Sequence, residues 1–312
     1  MARVAAIDCG TNSIRLLVAD VIGDALSDVH REMRIVRLGQ DVDATGRLAP
    51  EAVERTRAAL ADYAAIVRRA GAQRVRMVAT SATRDAANRE AFFTMVRQTL
   101  DADADVITGA EEARLSFTGA VSDLDPADGP FVVVDVGGGS TEVVLGERDG
   151  PRVNLTAARS VNVGCVRITE RHLHSDPATP EEVAAAQRFA TQTLREAFAE
   201  VPVDKARTWV GVAGTVTTLS AIAQQLPAYD PERIHLSRLS RERVDSTAEH
   251  LLASTHQQRS GNPAIHPGRV DVIVGGALIV RVLAEELHTR AGITELVVSE
   301  HDILDGIALG LA

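Results

Sequence analysis

Residues Ala5 to Asp20 read AAIDCGTNSIRLLVAD, and residues Val132 to Glu147 read VVVDVGGGSTEVVLGE. Both follow one pattern: an apolar strand, an aspartate, a tight turn of Gly, Ser, Thr or Asn, then a second apolar strand. Superposition puts Asp8 on Asp135, Gly10 on Gly137, Ser13 on Ser140 and Arg15 on Glu142, a constant offset of 127 residues. A glycine-rich turn aims backbone N–H groups at an anion, and a strand-end aspartate suits a cation that neutralises phosphate. The duplication therefore predicts phosphate chemistry in a cleft between two related domains.

Composition sets the frame. A chain of 312 residues can bury two separate cores. It is 45 % hydrophobic and 24 % charged, ordinary for a soluble globular protein. No apolar run reaches the length of a membrane span, and Met1 leads straight into ARVAAIDCG, so neither a transmembrane helix nor a signal peptide is expected. Cys9 and Cys165 form no CxxC pair and read as reduced thiols of a cytoplasmic protein. The formal net charge of −10 argues against a nucleic-acid polymer as partner. It also means that local cations and a metal must reverse the field around a polyanionic substrate. Lys205 is the only lysine, a mark of base composition rather than of recognition.

The pattern around the repeats is α/β. Val4–Cys9 and Ile14–Val21 predict a hairpin, with a third strand within His30–Leu38. Pro50 and Gly71 bracket a helix, VRMVAT is a short buried strand, and GAEEARLSFTGAVSDL carries a helical apolar stripe. DLDPADGP, Asp123 to Pro130, is the expected boundary. After it the order recurs: strands FVVVDV, TEVVLG and VNLTAARSV, helices after Gly164 and Pro180, and the strand-turn-helix WVGVAGTVTTLSA. GRVDVIVGGALIVRVLAEEL is a long helix in which Gly275 and Gly276 mark close packing; ITELVVS and HDILDGIALGLA are the last strand and helix.

Together DCGTNSIRLLVAD, TSATRDA, GAEEARLSFTGAV, DVGGGSTEVVLG, GVAGTVTTL and SEHDILDG, in that order over residues 4 to 306, resemble the exopolyphosphatase/guanosine pentaphosphatase (Ppx/GppA) family. The resemblance covers the whole chain and matches the short, two-domain form found in actinobacteria and some other bacteria. It implies two ribonuclease-H-like domains of the actin-like ATPase superfamily with an interdomain cleft. Residues 1–125 and 299–312 would form domain I and 126–298 domain II, without a C-terminal HD-type domain. It further implies removal of the terminal phosphate of inorganic polyphosphate by water. Mg²⁺ (Mn²⁺ as the alternative) would be the cofactor and K⁺ an activator. Guanosine pentaphosphate (pppGpp to ppGpp, linking to the stringent response) is the alternative substrate, non-catalytic binding of these ligands a third reading, and a homodimer the expected assembly.

The site residues follow from both lines. Bottom-up, Glu111 and Glu112 are explained by the dipole of the helix they begin. The family motif singles out Glu112 as the residue that orients or deprotonates the attacking water. Asp8 and Asp135 are the metal candidates, and Glu142, acidic on the same hairpin as Asp135, either holds metal or places water. Gly10, Thr11, Asn12 and Ser13 should bind phosphate in the first turn, and Gly137, Gly138, Gly139, Ser140 and Thr141 in the second. A plain hairpin turn, with Gly and Asn supplying positive φ, accounts for either copy alone. Gly214, Thr215 and Thr217 suggest a third contact. Arg15 and Arg84, and more weakly Arg269, are the cations, with an ordinary salt bridge as the competing role. His301-Asp302 lacks the partners of an HD metal site and reads as the start of the last helix, with Ser299 as its cap. His172 and His174 read as surface, and Cys9 as a small buried side chain.

Overall fold

The structure, a computed structural model, describes residues 2–23, 25–150 and 152–311. It contains two compact units, Met1–Gly119 with Ile303–Ala312, and Ala120–Asp302. These limits differ from the breaks expected at 125/126 and 298/299, and hydrogen bonds account for the difference. Arg148 Nη1 donates to the carbonyls of Val121 and Leu124. Ser299 N–H donates to Gly211 O, so both connecting segments belong with the second sheet.

The first unit holds strands β1 (Ala2–Cys9), β2 (Ser13–Ile22), β3 (Ala25–Ile35), β4 (Arg74–Ala79) and β5 (Ala104–Val106) in the order β3-β2-β1-β4-β5. β1, β2 and β3 are antiparallel neighbours, while β4 and β5 run parallel to β1. The second unit holds β6 (Phe131–Val136), β7 (Thr141–Asp149), β8 (Arg152–Val161), β9 (Thr208–Val212), β10 (Arg238–Ser240) and β11 (Glu295–Val298) in the order β10-β11-β9-β6-β7-β8. Read from β8 to β11, this is the first sheet again, and each copy has the ribonuclease-H-like order; β10 is an added antiparallel edge. β3 begins before the expected His30 and ends before Leu38, because it pairs with β2 along its whole length.

Central strands are apolar on both faces because both faces are covered. Ala5, Ile7 and Cys9 pack beneath helices Pro50–Ala70 and Arg89–Leu100. The alternate residues Val4 and Ala6 meet Leu115 of helix Gly109–Ala120 and the last helix, Ile303–Leu309. A Cβ on Gly306 would lie 2.0 Å from Leu115 O, so only glycine permits this approach. Asp305, 1 % exposed, accepts Arg31 Nη2 at 2.5 Å and ties the last helix to β3. In the second unit one core joins β6 to helices Pro180–Glu200 and Ile273–Ala291. The long helix starts at Ile273, after a short 3₁₀ turn at Pro267–Arg269. Its Gly275 packs on Ile168 and Thr169 and its Gly276 on Thr215, the close packing the glycine pair predicts. Among the described residues no helix is long and apolar enough to cross a membrane.

Candidate active site residues

The two hairpin turns are built alike. Gly10 N–H donates to Ser13 O at 2.9 Å and Gly137 N–H to Ser140 O at 3.1 Å, leaving Thr11-Asn12 and Gly138-Gly139 at the tips. The expected positive φ is absent: none of Gly10, Asn12, Gly137, Gly138 or Gly139 adopts it. What the second turn needs from glycine is closeness. A Cβ on Gly164 would lie 2.4 Å from Gly138 O and 2.7 Å from Gly139 N.

That packing belongs to a larger device. Cys165 N–H donates to Gly137 O at 2.9 Å, Val166 N–H to Gly138 O at 2.9 Å, and Arg167 Nε to Gly139 O at 2.8 Å. Three successive carbonyls are thus held by the start of helix Cys165–His172. A trans peptide sets each N–H antiparallel to the preceding C=O, so the N–H groups of Gly138, Gly139 and Ser140 are directed away from that helix. The first turn repeats the principle with other donors. Gly39 N–H takes Thr11 O at 2.8 Å, and Val36 and Arg37 take Asn12 O at 3.0 and 2.9 Å. The N–H groups of Asn12 and Ser13 therefore face away from residues 36–39. Each unit carries a row of N–H donors held in one direction, the arrangement that binds anions. Thr141 is the exception among the expected phosphate ligands. Its buried hydroxyl donates to Val163 O at 2.6 Å, which makes it a strut of the sheet.

Ionisable pairs sit in register beside the turns. Asp8 lies opposite Arg15, and Asp135 opposite Glu142. Arg15 donates to Asp8 Oδ2 through Nη2 at 2.7 Å and Nε at 3.1 Å, so the salt-bridge reading of Arg15 is realised on the very aspartate considered as a ligand. The second hairpin instead sets two carboxyl groups side by side, Asp135 at 7 % and Glu142 at 1 % exposure, with Ser160 Oγ donating to Glu142 Oε1 at 2.7 Å. Like charges so placed disfavour each other, and a hard divalent cation with oxygen ligands relieves them. By donor chemistry this pair of carboxylates fits Mg²⁺, whereas Asp8 has its Oδ2 engaged by Arg15.

Adjacent glutamates at the start of helix Gly109–Ala120 have different surroundings. Glu111 is bidentate to Arg114, at 2.8 Å for both bonds, and neighbours Arg76; these arginines, Arg114 first, hold its carboxyl below the usual range. Glu112 is buried and accepts Arg84 Nη1 at 2.6 Å. The same nitrogen donates to Ile107 O at 3.0 Å. Arg84, expected to contact phosphate, is thus engaged with the candidate catalytic carboxylate.

At the third turn Ala213 takes φ 68, and the Arg269 guanidinium lies where a Cβ on Gly214 would be, 2.2 Å from Nη2. Arg269 Nη1 donates to Thr218 Oγ1 at 3.2 Å. Thr215 is buried against Gly276, and Thr217 is buried as well. The structure therefore pairs this turn with Arg269, the weakest of the three expected cations.

His301 has a different role from the one read for it. The last helix begins at Ile303, and Ser299 Oγ closes a local turn by accepting His301 N–H and donating to His301 O. His301 Nδ1 and His235 Nε2 reach Asp123 Oδ2 at 2.6 and 3.3 Å. The ligand atoms of these three residues lie within 4.8 Å of one another. Yet His235 Nδ1 accepts Glu300 N–H at 3.2 Å, which puts the neutral ring's proton on Nε2, facing Asp123. A metal-bound histidine donates with its second nitrogen. The cluster is a hydrogen-bonded array, and its two histidines, His235 first, hold the Asp123 carboxyl far below the usual range. His174 is exposed, whereas His172 is half-buried against Phe189 at 5.0 Å between centroids, with burial lowering its pKa. Cys9 and Cys165 are buried free thiols, and burial raises both pKa values.

Gly164 and Arg167 are not singled out by the sequence patterns. Their only signal is position, a Gly-Cys-Val-Arg step that opens a helix and is separated from the end of β8 by two residues.

Known proteins resemble this chain along its whole length. A protein of Mycobacterium tuberculosis strain CDC 1551 named Exopolyphosphatase 2 is 58 % identical over 321 aligned positions, spanning 100 % of this chain and 99 % of the relative. The crystal structure of an exopolyphosphatase-like protein superposes with a TM-score of 0.95 at 43 % identity, covering 99 % of this chain and 98 % of the other. A Ppx/GppA family member from Aquifex aeolicus gives 0.81 at 31 % identity, with 99 % and 97 % covered. The profile of the Ppx/GppA phosphatase family matches residues 17–310, and the chain belongs to that family.

Proposed function

We propose that this protein is an exopolyphosphatase, a hydrolase of phosphoanhydride bonds that releases orthophosphate from the end of inorganic polyphosphate. The observation that carries the reaction class is the turn built twice with its carbonyls tied back and its N–H groups aligned. Polyphosphate as substrate rests on the full-length similarity to the mycobacterial relative of that name. In the reaction a water oxygen attacks the terminal phosphorus, the bond from that phosphorus to the bridging oxygen breaks, and the products are orthophosphate and a chain one unit shorter.

Phosphoryl transfer is catalysed mainly by positioning and charge stabilisation. The N–H groups of Gly138, Gly139 and Ser140, and those of Asn12 and Ser13, bind phosphate oxygens. Glu112 orients the attacking water. Arg84 holds the Glu112 carboxylate in place through its bond to Oε2. Asp135 and Glu142 are the residues that would hold Mg²⁺, which when bound supplies positive charge to the phosphate oxygens. K⁺ activation, a homodimer and a cytoplasmic location accompany this reading; two buried free thiols are consistent with a reducing compartment.

The test is orthophosphate release by the purified protein, with Mg²⁺ and K⁺, from polyphosphates of defined length, guanosine pentaphosphate, and ATP with sugars. Release from polyphosphate one unit at a time is expected. Release from guanosine pentaphosphate alone would replace the reading with nucleotide 5′-phosphohydrolysis, and binding of both without release would make the protein a sensor.

A further inference from the structure

We propose that Arg167 is a positioning residue that holds the second turn in its anion-binding form, acting through the Gly139 carbonyl. The proposal rests on reading that turn as a phosphate cradle. Arg167 engages two successive carbonyls, one with each kind of donor. Its backbone N–H reaches Gly138 O at 3.2 Å, beside that of Val166, and its side-chain Nε reaches Gly139 O at 2.8 Å. The side-chain bond is the one that substitution can remove without touching the main chain. Because Gly139 O and Ser140 N–H belong to one planar peptide, fixing the carbonyl fixes the N–H on its other side. The guanidinium charge also polarises that peptide and makes Ser140 N–H a stronger donor.

The corresponding hold on the first turn comes from backbone N–H groups of Val36, Arg37 and Gly39. Among the described carbonyls at the tips, Gly139 O is the one tied by a charged side chain. The glycines flanking it impose little restraint of their own, so the second turn depends on its external clamp more than the first.

The test compares Arg167→Ala, Arg167→Met and Arg167→Lys with wild type and with Leu194→Ala, a core variant of the same unit. Loss of a charge-assisted hydrogen bond should raise KM for polyphosphate about 10–100-fold in the Ala and Met variants, with kcat falling less. Lysine, a point charge on a flexible stem, should recover part of the loss. Millimolar guanidinium chloride should raise kcat/KM of Arg167→Ala and leave wild type and Leu194→Ala unchanged. A wild-type KM in Arg167→Ala, or a loss that guanidinium does not relieve and that tracks the folded fraction, would overturn the proposal. Should wild type release no phosphate, the functional reading fails first, and calorimetry with tripolyphosphate still decides the clamp. Binding at least tenfold weaker in Arg167→Ala supports it, and equal or absent binding in both proteins overturns it.

Discussion

Replacing Gly164 by alanine adds one methyl group where the structure leaves no room. The new Cβ would stand 2.4 Å from Gly138 O, 2.5 Å from Gly138 C and 2.7 Å from Gly139 N. All three are backbone atoms, so no side chain can swing aside. Ordinary Cβ contacts lie beyond 3.0 Å, and the Gly138 peptide or the helix start must therefore shift by more than half an ångström. Overpacking of this kind costs about 1–3 kcal/mol of stability. A misplacement of about 1 Å near reacting groups costs on the order of 10²-fold in rate, so a smaller shift of the N–H row should lower kcat/KM about 10–100-fold. Orthophosphate release measured beside thermal melts separates the two effects. Leu194→Ala opens a cavity in the same core and should lose about 2–5 kcal/mol while keeping kcat/KM of the folded fraction. A Gly164→Ala protein within twofold of wild type, or a Leu194→Ala protein equally impaired, would refute the idea that the approach at Gly164 sets the turn.

Three other outcomes are expected. Glu112→Gln should lower kcat about 10²–10⁴-fold in steady-state assays while tripolyphosphate binding by calorimetry survives, and near wild-type turnover would remove Glu112 from the mechanism. Asp123 has a depressed carboxyl pKa, so its stabilisation is present above the unfolded value near pH 4 and fades as pH falls towards the folded value. Asp123→Asn should cost about 1 kcal/mol or less at pH 7, given a side chain 45 % exposed, and less again at pH 3 in urea melts; equal deficits at both pH values would contradict this. Finally, the net charge of −10 repels a polyanion at long range, so raising the ionic strength from low salt should raise kcat/KM. The gain should be larger for long polyphosphates than for short ones, and a monotonic fall with salt would show that a local positive field dominates.

The sheets were legible because strands buried on both faces leave unbroken apolar runs, such as FVVVDV, all six residues of which are buried. The duplicated turns were legible because glycine beside Ser or Thr between two such runs forces the chain to reverse tightly, and the aspartate recurs at the same place before each reversal. Partnerships were harder to read. Arg15 on Asp8 follows from hairpin register, but Arg84 on Glu112 joins two helices, and Asp123 meets His301 across 178 positions. Such pairs depend on where whole elements end, which periodicity does not encode. The same holds for Gly164 and Arg167, whose neighbours form a turn more than twenty residues earlier. Thr141 differs in another way: its place in the motif suggests a phosphate ligand, while its position at the start of β7 commits the hydroxyl to Val163 O.

The last helix bears on the order in which the chain can acquire structure. The second unit is one continuous segment, Ala120–Asp302, whereas the first is completed by Ile303–Leu309, made only after that whole segment. Until then Leu115 and the β1 face bearing Val4 and Ala6 are without their cover, and Arg31 is without Asp305. Domains emerging from the ribosome generally fold as units, N-terminal first. Here the later-made unit is continuous and can close on its own residues, whereas the unit that carries Glu112 needs a helix that follows the whole of the other in the chain.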